Sequence, residues 1–130
     1  MSNANKQTIV SDMARAKGLG SAHEGTHHWM MQRITAIAAL PLCLWLVFSA
    51  VSLKGATHAD FVAWLAQPWN AVLMILFILA TFYHGVLGAQ VVVEDYIHTK
   101  WFKMMKLVGM KLFFTALAVV CVFSVLKIAL

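Results

Sequence analysis

Charge is scarce in this chain. Asp, Glu, Lys and Arg together make up 12% of its 130 residues, and 62% are hydrophobic; ordinary soluble domains run at about 25% and about 45–50%. So few polar groups cannot cover so much apolar surface. This excludes a free-standing soluble domain and places the chain in a bilayer or among partners. Acids are scarcer still, five against ten Lys plus Arg, for a net charge of +5. There is no basic groove with interleaved aromatics of the kind that single strands need, so no nucleic-acid partner is expected. In a membrane protein, basic residues instead set topology and meet anionic lipid headgroups.

Cysteine is also sparse. Cys43 and Cys121 both lie in apolar runs, with neither metal-ligand spacing nor a secreted disulfide pattern. Both read as small core hydrophobes. No internal repeat is visible, so a transporter built from paired repeats has no support. No apolar run begins before about Trp29, which is late for the h-region of a signal peptide. Residues 1–28 instead read as a polar tail at the cytoplasmic face, against the membrane surface or a partner. Their low acid content also matches a mitochondrial presequence.

Residues 29–130 contain three long apolar segments, at about 30–53, 69–93 and 107–126. Each approaches or exceeds the ~20 residues that cross a ~30 Å hydrocarbon core, and a helix satisfies its own backbone there. The expected fold is an all-α membrane protein with three transmembrane helices, the first bent at Pro41. Lys6, Arg15, Lys17 and Arg33 flank the first segment; Lys100, Lys103 and Lys106 lie between the second and third. Excess Lys and Arg marks the inner side, so the N-terminus is expected inside and the C-terminus outside. Trp29, Trp64, Trp69 and Trp101 fall near expected helix ends, where indole rings favour the headgroup layer.

One ionisable residue stands out against this background. His84 lies about ten residues from the inner end of the second segment, or ~15 Å at 1.5 Å per residue. Ionisable groups at that depth are expensive and mark functional sites. The plainer reading is a histidine that hydrogen-bonds a neighbouring helix. The sharper one is an axial ligand of haem iron through a neutral ring nitrogen. Gly88 falls one turn below on the same face and leaves clearance for a flat macrocycle, with Gly85 thinning the surface beside it; close helix packing would use the same glycines. Asp95, eleven residues on, comes within ~20° of the same direction if the helix continues that far. A single deep histidine and only three helices suggest that a partner membrane subunit supplies a second ligand and the rest of the enclosure.

The inner side offers further candidates. Arg33 suits anions such as haem propionates, with His27 or His28 nearby; topology and headgroup contact would also explain it. Tyr96 can donate a hydrogen bond to a quinone carbonyl, and Asp95 can relay protons to the inner water; the alternative is a solvated helix end with an interfacial aromatic. His98, just beyond, reads as a surface residue.

These residues resemble a known family. His84, ten intervening residues and Asp95-Tyr96 is similar to the signature of the hydrophobic membrane anchor D subunits of succinate dehydrogenase, respiratory complex II. Arg33 in QRITA, with His27 six residues before it, resembles that family's helix-one entry, and the tail GLGSAHEGTHHW resembles alphaproteobacterial members. The resemblance covers about residues 20–130 and implies a bacterial inner-membrane complex of four subunits. In it a flavoprotein oxidises succinate, an iron–sulfur subunit carries the electrons, and this chain with a C-subunit anchor holds one haem b and forms the ubiquinone site. By position it implies His84 as an axial ligand, Arg33 and His27 near the propionates, and Tyr96 with Asp95 at the quinone. No flavin or iron–sulfur motif is visible, so succinate chemistry is expected on the partners. Two other readings stand: a fumarate reductase anchor running with menaquinone, and a non-redox scaffold or assembly subunit.

Overall fold

The computed structural model describes residues 23–130. The greater part of the expected polar tail, residues 1–22 with Lys6, Arg15 and Lys17, lies outside the described residues. Four helices follow: α1 His23–Ser52, α2 His58–Leu65, α3 Pro68–Tyr96 and α4 Lys100–Ala129. Within them Gly25–Ser52, Pro68–Tyr96 and Lys100–Ala129 are long and apolar enough to cross a membrane. The all-α, three-span architecture expected from the sequence is present.

The helices outrun the apolar segments because helical backbone propagates from turns already formed, at one hydrogen bond per residue added. Thus α1 takes in His23–His28 and α4 takes in Lys100–Lys106. Pro41 sits inside α1 without interrupting it. Pro68 opens α3 at a position where its missing N–H costs nothing.

α3 is the central element. It packs against α1, α2 and α4, whereas α1 and α4 do not pack against each other. The three spans therefore form a row, not a closed bundle. A row leaves large apolar faces uncovered: Ile37, Phe48, Leu112 and Phe123 are all exposed. A surface of this kind belongs against lipid or another membrane chain. The small core gathers at one end, where Leu65, Ala71, Ile78 and Val125 are buried, with Phe82, Cys121 and Val122 packed on them. Cys121 is thus a core residue as expected, but Cys43 is exposed on α1. Trp29, Trp69 and Trp101 are exposed, whereas Trp64 stacks on Trp45 at 5.7 Å between ring centroids.

The α1–α3 connection was not foreseen as structured. Gly55 adopts φ +85°, in the left-handed region, and turns the chain into α2. There Thr57 and Asp60 form a capping box. The Thr57 hydroxyl and backbone N–H both donate to Asp60 Oδ2, at 2.7 and 2.8 Å. These bonds, the hydroxyl foremost, hold the Asp60 carboxyl below its ordinary pKa. A depressed carboxyl stabilises the fold above the ordinary carboxylate pKa, and that contribution is lost as pH falls through the folded value. Hydrogen exchange of the α2 amides, corrected for intrinsic rates, is therefore expected to accelerate on acidification in the native chain. Asp60→Asn should flatten that response. The α2–α3 corner is tied by buried Asn70, whose Nδ2 donates to the Trp64 carbonyl at 2.8 Å.

Gly85 belongs to the α3–α4 seam. A Cβ built there would lie 3.3 Å from Phe114 Cε1, tighter than most real contacts. Close helix approach, not clearance for a ligand, explains this glycine. Gly85→Ala should lower the detergent unfolding midpoint, at a cost of about 1 kcal/mol from overpacking. Gly109→Ala meets nothing within 4 Å and should not lower it.

Candidate functional site

His84 and Gly85 are consecutive, so their directions differ by about 100°. One consequence is that His84 faces α1 while Gly85 faces α4. The His84 ring is half-buried, and its Nδ1 lies 3.0 Å from Thr35 Oγ1 on α1. The Thr35 hydroxyl also lies 2.9 Å from the Met31 carbonyl and 3.1 Å from that of Gln32. His84 Nε2 has no hydrogen-bond partner among the described residues and is not among the side-chain atoms they close off.

One turn along α3, Gly88 faces the same neighbour. A Cβ placed there would meet only Gln32 Nε2, at 3.9 Å, an ordinary contact. Unlike Gly85, Gly88 is not demanded by packing within this chain. On α1, His28, Gln32 and Thr35 follow the i, i+4, i+7 rule for one helix face. His28 is half-buried, and its Nε2 is occluded with no hydrogen-bond partner among the described residues. His27 is exposed, about 100° round the helix. A polar stripe thus runs down the α1–α3 seam, with Thr35 opposite His84 and Gln32 opposite Gly88. Thr35 and Gln32 were missed in the sequence reading; their spacing from His28 was the available signal.

Arg33 stands elsewhere. Two residues before Thr35, it leaves α1 about 200° away, on the side opposite the His84 contact. It is exposed, with its guanidinium 4.1 Å from the centre of the Trp29 ring, a cation–π distance. The structure does not bring Arg33 and His84 together within this chain.

α3 runs unbroken to Tyr96, so Asp95 does fall on the His84 stripe, ~16 Å further along the helix. Asp95 and Tyr96 are exposed, Tyr96 at 80%, and neither side chain is hydrogen-bonded among the described residues. Glu94 differs from both: its carboxylate accepts from Gln90 Nε2 at 2.8 Å, and its carbonyl accepts from Lys103 Nζ at 2.9 Å. Lysine caps of this kind close a helix C-terminus. Glu94 is a structural residue, and Asp95 and Tyr96 are left uncommitted. His98 is exposed in the connector.

A groove of about 770 Å³ lies along α3 and α4, lined by Tyr83, Leu87, Gln90, Lys111, Phe114 and Phe123 among others. Its walls are mainly apolar, and neither His84 nor Tyr96 lines it. No group of three or more His, Cys, Asp or Glu able to hold a metal ion occurs among the described residues. A metal bound here would therefore need ligands beyond the described residues.

Comparison with known proteins agrees with this arrangement. Residues 5–126 match the family model described as succinate dehydrogenase/fumarate reductase transmembrane subunit. The chain is 36% identical to the succinate dehydrogenase hydrophobic membrane anchor subunit of Rickettsia bellii, over 79% of this chain and 82% of that one. It is 35% identical to the protein of the same name from Rickettsia conorii, over 67% and 70%. The anchor subunit of Paracoccus denitrificans is 31% identical over 67% of each chain. No solved structure matches significantly. The chain belongs to the family of succinate dehydrogenase and fumarate reductase transmembrane subunits.

Proposed function

We propose that this chain anchors a succinate dehydrogenase in the bacterial inner membrane, ligates haem b through His84 and contributes Tyr96 and Asp95 to a ubiquinone site. The observation that carries the reading is the state of His84. It sits mid-span on the central helix, one ring nitrogen is held by Thr35, and the other has no partner among the described residues. The donor chemistry fits the group, since a neutral imidazole with a free nitrogen is a haem-iron ligand. Gly88 one turn away adds no side chain, and the open row of helices leaves room for a second anchor to complete the enclosure.

Haem b, when bound, supplies a one-electron carrier between an iron–sulfur partner and quinone. The chain's own residues do the rest. His84 presents its Nε2 lone pair, and Thr35 holds the ring. Arg33, its guanidinium 4.1 Å from the Trp29 ring centre, would be available to anionic groups such as propionates, although its face of α1 is turned from the His84 contact. His27, exposed on the same inner turns, is a second candidate, and the orphaned Nε2 of His28 a third. At the inner end Tyr96 donates its phenol hydrogen to a quinone carbonyl, and Asp95 takes up or passes on a proton at its carboxylate. Succinate oxidation itself belongs to the flavoprotein and iron–sulfur partners. The basic residues of the α3–α4 connection and the start of α4 favour an N-inside orientation.

Purification of this chain from its native membrane tests the proposal. A flavoprotein, an iron–sulfur protein, a second anchor and haem b should accompany it in fixed ratio. Recovery of the chain free of redox partners would refute the proposal and favour a scaffold. The matched family spans fumarate reductases as well; menaquinone in place of ubiquinone in the purified complex would point to that direction of reaction.

A further inference from the structure

We infer that Thr35 is a positioning residue for the iron ligand: it fixes the proton on Nδ1 of His84 and thereby tunes whatever metal binds Nε2. This rests on the assignment of His84 as a haem ligand. A threonine hydroxyl has one hydrogen and two lone pairs. In α1 that hydrogen is directed back at the carbonyls of Met31 and Gln32, at 2.9 and 3.1 Å, the usual back-bond of a mid-helix threonine. The carbonyls are fixed by the helix and can only accept. Toward His84 the hydroxyl therefore offers a lone pair, and at 3.0 Å it accepts the Nδ1 hydrogen. With that hydrogen on Nδ1, the ring's lone pair is on Nε2, which has no hydrogen-bond partner among the described residues.

The bond does two things. It selects the ligating tautomer and fixes the ring plane, as outer-shell partners of metal-bound histidines do. It also draws the Nδ1 hydrogen toward oxygen, which makes Nε2 a stronger donor and favours ferric over ferrous iron. Low polarity around the pair strengthens the effect. Val, isosteric with Thr, keeps the shape of the α1–α3 seam and removes the acceptor; Ser keeps the acceptor and removes a methyl.

The test compares Thr35→Val, Thr35→Ser and His84→Ala in the assembled complex, by redox titration of the haem and low-temperature electron paramagnetic resonance. Thr35→Val is expected to move the haem midpoint potential in the positive direction and to shift the low-spin g values, with Thr35→Ser close to wild type. Haem loss in Thr35→Val with retention in Thr35→Ser would support the same role. Thr35→Val and Thr35→Ser both matching wild type, or both losing haem equally, would overturn it. In that event a His84→Ala complex that loses its low-spin signal leaves the ligand assignment standing. An unchanged signal in His84→Ala would remove the ligand assignment as well.

Discussion

His84→Ala, assembled with its partner subunits, is expected to lose the low-spin signature of haem b and most of its haem. Removing only an outer-shell partner of a ligating histidine costs roughly 10–100-fold in metal affinity, and removing the ligand itself costs more. Among the described residues no replacement lies within reach. Gln32 and Thr35 bring only amide and hydroxyl groups to the seam. His28 lies seven residues before Thr35 on α1, ~10 Å along the helix at 1.5 Å per residue. The substitution also removes the ring nitrogen that lies 3.0 Å from Thr35 Oγ1, so some loosening of the α1–α3 seam should accompany the spectral change. His98, also a histidine but exposed in the connector, supplies the control: His98→Ala should keep the full haem complement. Visible spectra and haem-to-protein ratios of the two purified variants check both statements.

Tyr96→Phe is expected to lower quinone reductase turnover about ten- to a hundredfold, which corresponds to roughly 1.4–2.7 kcal/mol of lost stabilisation. Succinate oxidation with artificial dyes should persist, because that chemistry precedes the quinone. The phenol is exposed and has no hydrogen-bond partner among the described residues, so its removal should change stability by no more than about 0.5 kcal/mol. That separation makes the result readable. Tyr83 lines the α3–α4 groove instead, and Tyr83→Phe should leave quinone turnover at the wild-type rate. Equal loss of dye and quinone activity in an intact Tyr96→Phe complex would remove Tyr96 from the quinone site.

The three spans were legible because a run of about 20 apolar residues has few other uses. Their ends were not, because helical backbone continues through polar residues such as His23–His28 and Lys100–Lys106 once the adjoining turns are formed. α2 escaped notice for a different reason. Eight residues are too short for a periodic signal, although Thr57 and Asp60 stand at capping-box spacing. At the site, His84 was conspicuous by its depth and Asp95 by its register. Thr35 shares a helix face with His28 and Gln32, but what that face meets is hidden until the alignment of α1 against α3 is known. The same alignment separates His28 from His27, and it turns Arg33 away from the seam that holds His84. Gly85 and Gly88 looked equivalent in sequence; their neighbours, Phe114 and Gln32, make one a packing residue and the other not.

Low-temperature electron paramagnetic resonance of the purified native complex, with every histidine labelled with ¹⁵N, probes the His84–iron bond most directly. Ligation by His84 predicts a directly coordinated histidine nitrogen in wild type that is lost in His84→Ala. Histidine nitrogen couplings unchanged in the His84→Ala complex would contradict it.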